Sequence, residues 1–375
     1  MKHWEILAVT LIVAVSASVF GCNSNNSSTL PIDRGVWSSV SLTDEDISFG
    51  SYIAGNVANK VAIAGLGSAL KPTVFVCSQT ISDCTEVTTG LGADLVSVSA
   101  LEYDTGGNLY GSFNISTAGS YGEYSSTLVK KLAAGADTWL DYQSFGGLGL
   151  SLDVSGIGIL TSSSFSVLGT KFAARGAADL FTPEGFRLYG SSNFESSALN
   201  AITTDGKGTI YAAGPEYKTQ AQLAVEQAFS KVWIWNPNAA DKTKQFSQIN
   251  MPANLLEISD MVTNGNGTVY ISGVDSSNRG RVWAYANGVL TDTGIAANRV
   301  TALFHAPGGY LVAGGVDNVN YNGQVWHYKP DRSQWISLNL KNAGKIVNVS
   351  VNSQSNTIYA IGTDTQNNPT AWYYK

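Results

Sequence analysis

Four carboxylates follow one recurring short segment. Glu216, Asp275, Asp317 and Asp364 each stand just after it, with Asp317 displaced by one position relative to the others. Carboxylates gathered on one face can bind a cation such as Ca2+ or accept hydrogen bonds from sugar hydroxyls. Aspartates also cap turns by bonding their own backbone, and that reading stands beside the first. Two long insertions add further candidates. Asn114 to Ser126 carries Tyr121, Glu123 and Tyr124, and Pro215 to Lys231 carries Tyr217 and an expected two-turn helix over Ala221 to Phe229. Long connections on a rigid scaffold are common binding elements, and tyrosines offer amphipathic contact surface.

Reaction chemistry has few other footholds. His305 and His327 each stand singly on a strand, where a histidine is usually structural. Arg34, Arg175, Arg187, Arg279, Arg281, Arg299 and Arg332 are scattered. No Gly-x-Ser-x-Gly, phosphate loop or metal-spaced histidine pair occurs, so no cofactor is expected. Cys77 and Cys84 flank Ser78–Asp83 at the end of one strand and the start of the next, which predicts a disulfide across a hairpin. The alternative, a two-cysteine metal site, lacks a nearby histidine.

The elements that would position these residues repeat. Thr209-Ile210-Tyr211-Ala212-Ala213-Gly214 returns as Thr268 to Gly273, as Tyr310 to Gly314 and as Thr357 to Gly362. Each copy is followed by an aromatic strand: Val232 to Trp235, Val282 to Tyr285, Val325 to Tyr328, Ala371 to Tyr374. Earlier copies are Lys60 to Gly65, Asn108 to Phe113 and Ser164 to Gly169, with Phe75, Leu128 and Leu180 on the strands that follow. The anchors Gly65, Phe113, Gly169, Gly214, Gly273, Gly314 and Gly362 recur at intervals of roughly 40 to 60 residues, the period of a β-propeller. Period-two alternation and Asn-Gly turns such as Asn287-Gly288 argue strands rather than helices. The expected fold is therefore all-β: a seven-bladed β-propeller of four-stranded antiparallel blades over residues 35–375. Its last unit stops after three strands. Val36 to Leu42 resembles Gln334 to Leu340, the fourth strand of the sixth unit, so the N-terminal strand is expected to complete the last blade and remove an open edge.

Only 13% of the 375 residues are charged and the net charge is −6, with no basic cluster, which argues against a nucleic-acid partner. Lys2 and His3 precede an apolar run from Ile6 to Phe20, shorter than the ~20 residues of a membrane span but suited to a signal peptide. The run ends Val19-Phe20-Gly21-Cys22, which resembles the bacterial lipoprotein signal. That resemblance implies cleavage after residue 21, acylation of Cys22, and a polar tether over 22–34. Asn23 in place of Asp implies the outer membrane, facing the periplasm or the cell surface. An ordinary secreted protein cleaved nearby is the alternative.

Gly314-Gly315, Trp326-His327-Tyr328 and Trp335 resemble a kelch repeat, with its Gly-Gly pair, third-strand Tyr and fourth-strand Trp. Thr204-Asp205-Gly206-Lys207-Gly208-Thr209 is superficially similar to a sialidase Asp-box but has the wrong spacing and is expected to be a hairpin turn. The kelch resemblance implies a propeller that binds proteins or sugars, not a reaction. The expected function is an exported, membrane-anchored, non-catalytic protein-binding module or scaffold whose partner is an envelope or host-cell protein. The alternative is a carbohydrate-binding or carbohydrate-cleaving propeller, a glycoside hydrolase or lyase, with carboxylates or arginines converging on the central channel.

Overall fold

The structure is a computed structural model that describes residues 35–43, 47–56, 58–67, 69–104, 106–119, 122–145, 149–152, 158–162, 177–181, 187–191, 199, 201–205, 209–215, 229–236, 238–241 and 245–375. The signal segment, Cys22 and the tether lie outside the described residues. So do Tyr121, Glu216, Tyr217 and 221–228 of the expected helix.

Among the described residues every regular element is a β-strand. Strand β1 (Trp37–Ser41) stands apart in sequence from the sheet it joins. Meanders of four follow: β2 (Ile47–Gly55), β3 (Lys60–Gly67), β4 (Pro72–Ser78) and β5 (Cys84–Glu86), then β6 (Leu95–Tyr103), β7 (Leu109–Gly119), β8 (Gly122–Leu132) and β9 (Leu140–Phe145). Next come β10 (Gly149–Leu152), β11 (Gly158–Ser162), β12 (Ala177–Phe181) and β13 (Arg187–Ser191), then β14 (Ala201–Thr204), β15 (Ile210–Pro215), β16 (Ser230–Trp235) and β17 (Phe246–Ile249). The later quartets are β18 (Leu255–Thr263), β19 (Thr268–Asp275), β20 (Gly280–Ala286) and β21 (Val289–Asp292), and β22 (Ala297–Ala306), β23 (Tyr310–Asp317), β24 (Gly323–Lys329) and β25 (Gln334–Ser337). The chain ends with β26 (Ala343–Val351), β27 (Ile358–Asp364) and β28 (Pro369–Tyr374).

Within each quartet the strands pair antiparallel in chain order, and β18–β21 merges with β22–β25 through the single pair Gly280↔Ala297. The first strands pack on one another in succession: β2 on β6, β6 on β10, β10 on β14, β14 on β18, β18 on β22, β22 on β26 and β26 back on β2. That circuit is the core of a β-propeller.

The apolar runs of the second strands follow from this stacking, because both faces of each sheet are covered. On β27, Ile358 and Ala360 enter a core shared with Tyr310, Val312 and Ile346, while Tyr359 and Ile361 enter another with Ile53, Ile63 and Phe75. On β3, Val61 and Ile63 face that second core, while Ala62 and Ala64 face Leu101, Leu109, Phe113 and Trp139. Each fully buried large side chain contributes about 1.5–3 kcal/mol. The same packing buries His327, whose ring meets the Tyr310 ring edge-on at 5.0 Å.

The first strands of five quartets each carry two bulges three residues apart, as at Leu255/Glu257 and Ile258/Asp260 on β18. Bulges of this kind tighten the twist and re-aim neighbouring groups. They also explain the anchor glycine. A Cβ on Gly273, Gly315 or Gly362 would lie 2.2, 2.0 or 1.9 Å from the carbonyl oxygen of Glu257, Arg299 or Lys345, each next to a bulge. The anchor of the sixth unit is thus Gly315, not Gly314.

Two further expectations are corrected. The second strand of the third quartet is β11, Gly158–Ser162, and Ser164 to Gly169 lies outside the described residues. Asn114 to Ser126 is not an insertion loop: most of it is strand, continuing β7 and β8.

The first and last described strands meet as expected. Strand β1 pairs antiparallel with β28 from Trp37↔Tyr374 to Ser41↔Thr370, and Val36 N–H donates to Lys375 O at 2.8 Å. Trp37 stacks obliquely on Tyr374 at 5.1 Å, and its indole N–H donates to Leu338 O at 2.8 Å.

Candidate functional site

Because the quartets repeat with one polarity, the hairpins between second and third strands share one face. Three of the four carboxylates can be placed there. Asp275, Asp317 and Asp364 stand at the ends of β19, β23 and β27, opposite Leu255, Ala297 and Ala343 at the starts of the first strands. The three positions are equivalent. The displacement expected for Asp317 disappears once Gly315 is the anchor.

All three close their own hairpins. Asp275 Oδ1 accepts the N–H groups of Ser277 and Arg279 at 2.9 and 3.1 Å. Asp317 Oδ1 accepts those of Val319 and Asn320, both at 2.7 Å. Asp364 Oδ1 accepts those of Gln366 and Asn368, both at 2.8 Å, and Oδ2 accepts the Asn368 amide. Their oxygens act here as turn caps. Among the described residues no group of three His, Cys, Asp or Glu side chains could hold a metal ion.

Asp275 has a second task. It is 1% exposed, and its Oδ2 lies 3.2 Å from Arg279 Nη2 and 3.0 Å from Arg281 Nε. Burial raises its carboxyl pKa, but the Arg279 N–H, the Arg281 guanidinium, the Ser277 N–H and the Arg279 charge outweigh that and hold it below 3.8. Asp364 is held below 3.8 chiefly by the side chain and N–H of Asn368.

Among the described residues, a two-stranded ribbon also rises on this face. The ladder between β6 and β7 ends at Leu95↔Ile115, and that between β8 and β9 ends at Thr127↔Phe145. The β7–β8 ladder runs on, from Ser116↔Ser125 to Gly119↔Gly122. Among the described residues this stretch pairs with no third strand. Glu123 and Tyr124 belong to it, opposite Ala118 and Thr117.

The first strands carry further polar groups that the sequence did not single out as site residues. Asp260, on β18, accepts the N–H of Leu303 on β22 at 2.8 Å and of Met261 at 2.8 Å. Burial pushes its carboxyl up to about 6, against the pull of these two hydrogen bonds. Tyr52, on β2, is raised to about 12 by burial and then by the Asp260 charge. In the sequence Asp260 is one of three polar residues, with Glu257 and Ser259, in Leu255 to Val262, and nothing there sets it apart. His305 lies almost parallel to Tyr270, at 12° and 6.2 Å between centroids, and burial lowers its pKa. Cys77 and Cys84 form the expected disulfide, opposite one another on β4 and β5. At the described ends of the segment likened to an Asp-box, Asp205 and Thr209 are bonded as a hairpin turn.

No protein-family model and no curated protein sequence matches this chain. Solved structures do. The chain is similar to the Dos1 propeller at a TM-score of 0.56 and 10% identity, covering 92% of this chain and 96% of that one. It is similar to the β-propeller domain of the Trilobed protease from Pyrococcus furiosus, which has an open velcro topology, at 0.53 and 10%, covering 79% and 86%. A chain of the mitotic checkpoint complex matches at 0.57 and 12%, covering 89% and 90%. At these identities the shared property is the fold, and the chain is a β-propeller.

Proposed function

We propose that this protein is an exported, lipid-anchored propeller that captures a protein partner through the β7–β8 ribbon. The ribbon carries the proposal. A two-stranded hairpin outside a sheet is marginally stable alone and leaves backbone N–H and C=O groups open on both edges. An extended segment of another chain satisfies those groups by strand addition. Glu123 and Tyr124 hold register positions in the same ribbon, opposite Ala118 and Thr117. The presence of a similar propeller in a multiprotein checkpoint assembly is in keeping with such a role.

Residues 35–375 make one propeller of seven blades in this reading, supported by the succession of first strands from β2 to β26. The kelch-like reading draws support from Gly314-Gly315 and from Tyr328 and Trp335, whose rings lie 4.9 Å apart. The disulfide favours an oxidising compartment. Cys22 is the residue proposed to carry the lipid, with residues 1–21 removed and 22–34 as tether. Loss of palmitate labelling in Cys22→Ala tests the anchor.

The test of the ribbon is site-specific photo-crosslinking in intact cells. A benzoylphenylalanine at position 123 is expected to trap a discrete protein adduct, and one at position 287, in a turn on the opposite face, is not. Equal adducts from both positions, or none from 123, would overturn the proposal.

A further inference from the structure

A cavity of about 510 Å3 opens on the hairpin face between two successive quartets, within the range of about 300–1,000 Å3 typical of small-molecule sites. Asn278 and Arg279 of the β19–β20 hairpin, Arg281 of β20, Asn298 of β22, and Asn318 and Tyr321 of the β23–β24 hairpin form its walls. Its floor is the pair Gly280↔Ala297, where the two sheets are hydrogen-bonded directly. A Cβ on Gly280 would lie 2.9 Å from the Arg299 Cα, so glycine allows the sheets to meet there. The Ala297/Arg299 bulge takes Asn298 out of the ladder.

The polar groups of the walls divide into two sets. The guanidiniums are matched: Arg279 bonds Asp275, and Arg281 bonds Asp275 and Asp292. Two arginines against two aspartates leave no surplus charge to attract an anion. The side-chain amides of Asn278, Asn298 and Asn318 and the Tyr321 hydroxyl have no hydrogen-bond partner among the described residues. Each amide offers both donors and an acceptor. Tyr321 is 66% exposed, on a hairpin tied down through Asp317.

Groups that donate and accept at once, beside an exposed aromatic ring, match a molecule of hydroxyls on a carbon ring. We propose that this cleft binds a neutral saccharide, with the C–H face of a sugar ring on Tyr321 and its hydroxyls on the three asparagine amides. The matched charges disfavour uronic or sialic acids and acidic peptides. The site is separate from the β7–β8 ribbon and stands or falls without it.

Saturation-transfer NMR and calorimetry test it, with lactose, cellobiose, mannobiose and chitobiose as neutral probes and glucuronate and sialyllactose as charged ones. At least one neutral probe is expected to bind. Its affinity should fall tenfold or more in Tyr321→Ala and in Asn298→Ala, persist in Tyr321→Phe, and be unchanged when residues 116–125 are replaced by an Asn-Gly turn. The thermal midpoint of Tyr321→Ala should match that of the parent, since the ring is exposed. Binding of charged probes only, binding of none of the neutral probes, or equal affinity in Tyr321→Ala would overturn the assignment.

Discussion

Asn348 on β26 accepts the backbone N–H of Ile53 on β2 at 3.2 Å. Asp260 on β18 makes the same contact elsewhere in the ring, accepting the N–H of Leu303 on β22. Both acceptors stand just past the second bulge of their strands, and both donors stand one residue beyond the equivalent position on the next strand. The bulges thus turn a side chain along the ring and tie one sheet to the next. Asparagine does this without charge, whereas aspartate takes a carboxylate out of water.

That difference predicts a pH effect. The Asp260 carboxyl lies at about 6 in the folded protein, above the 3.8 of an ordinary carboxyl. Between those values the folded protein holds a proton that the unfolded chain releases, so the Asp260 contribution to stability falls as pH rises from 3.8 to 6 and is level above. The span corresponds to at most about 3 kcal/mol. Urea unfolding of the parent and of Asp260→Asn at pH 4 and pH 7 checks this. The parent should lose stability relative to the variant between the two, and a pH-independent difference would contradict it.

Asp275 should behave oppositely. Its carboxyl pKa is below 3.8 in the folded state, so its stabilisation is present above 3.8 and is lost as pH falls through the folded value. Asp275→Asn removes the partner of two guanidiniums and should cost about 2 kcal/mol at pH 7. In urea titrations the deficit should shrink below pH 3.8.

Gly315→Ala would place a methyl group 2.0 Å from Arg299 O, where only backbone movement gives relief. A loss of about 1–3 kcal/mol or more is expected, from the cost of overpacking. Thermal unfolding measures it, and an unchanged midpoint would show that the bulge can move aside.

The Cys77–Cys84 bond closes a loop with a sequence separation of 7. Chain-entropy reasoning gives about 2.5 kcal/mol for so short a loop. Dithiothreitol should lower the urea midpoint of the parent and leave that of Cys77→Ser/Cys84→Ser unchanged.

The strands were legible where burial on both faces leaves a mark. Thr268 to Gly273 and Thr357 to Gly362 are apolar because neighbouring sheets cover them, and Asn287 and Gly288 take the positive φ angles, 51° and 82°, of a tight turn. The ribbon was not legible, because Ser116 to Ser125 shows no apolar alternation. Gly314 and Gly315 are indistinguishable in sequence; only the carbonyl at the Arg299 bulge separates them. The cleft between the β19–β20 and β23–β24 hairpins was missed for another reason. Nothing in the spacing of Asn278, Asn298, Asn318 and Tyr321 marks them as neighbours, and the Gly280↔Ala297 pair brings their segments together.

The pairing of β1 with β28 closes the ring and thereby sets which hairpins share a face. Amide hydrogen exchange tests it directly. With Val36 and Leu42 N–H donating to Lys375 O and Pro369 O, antiparallel alternation makes Ser38 and Val40 donors as well. These four amides should be protected to the level of β28. Exchange of Ser38 and Val40 at the rate of an unfolded peptide, with β26 to β28 still protected, would contradict the closed ring.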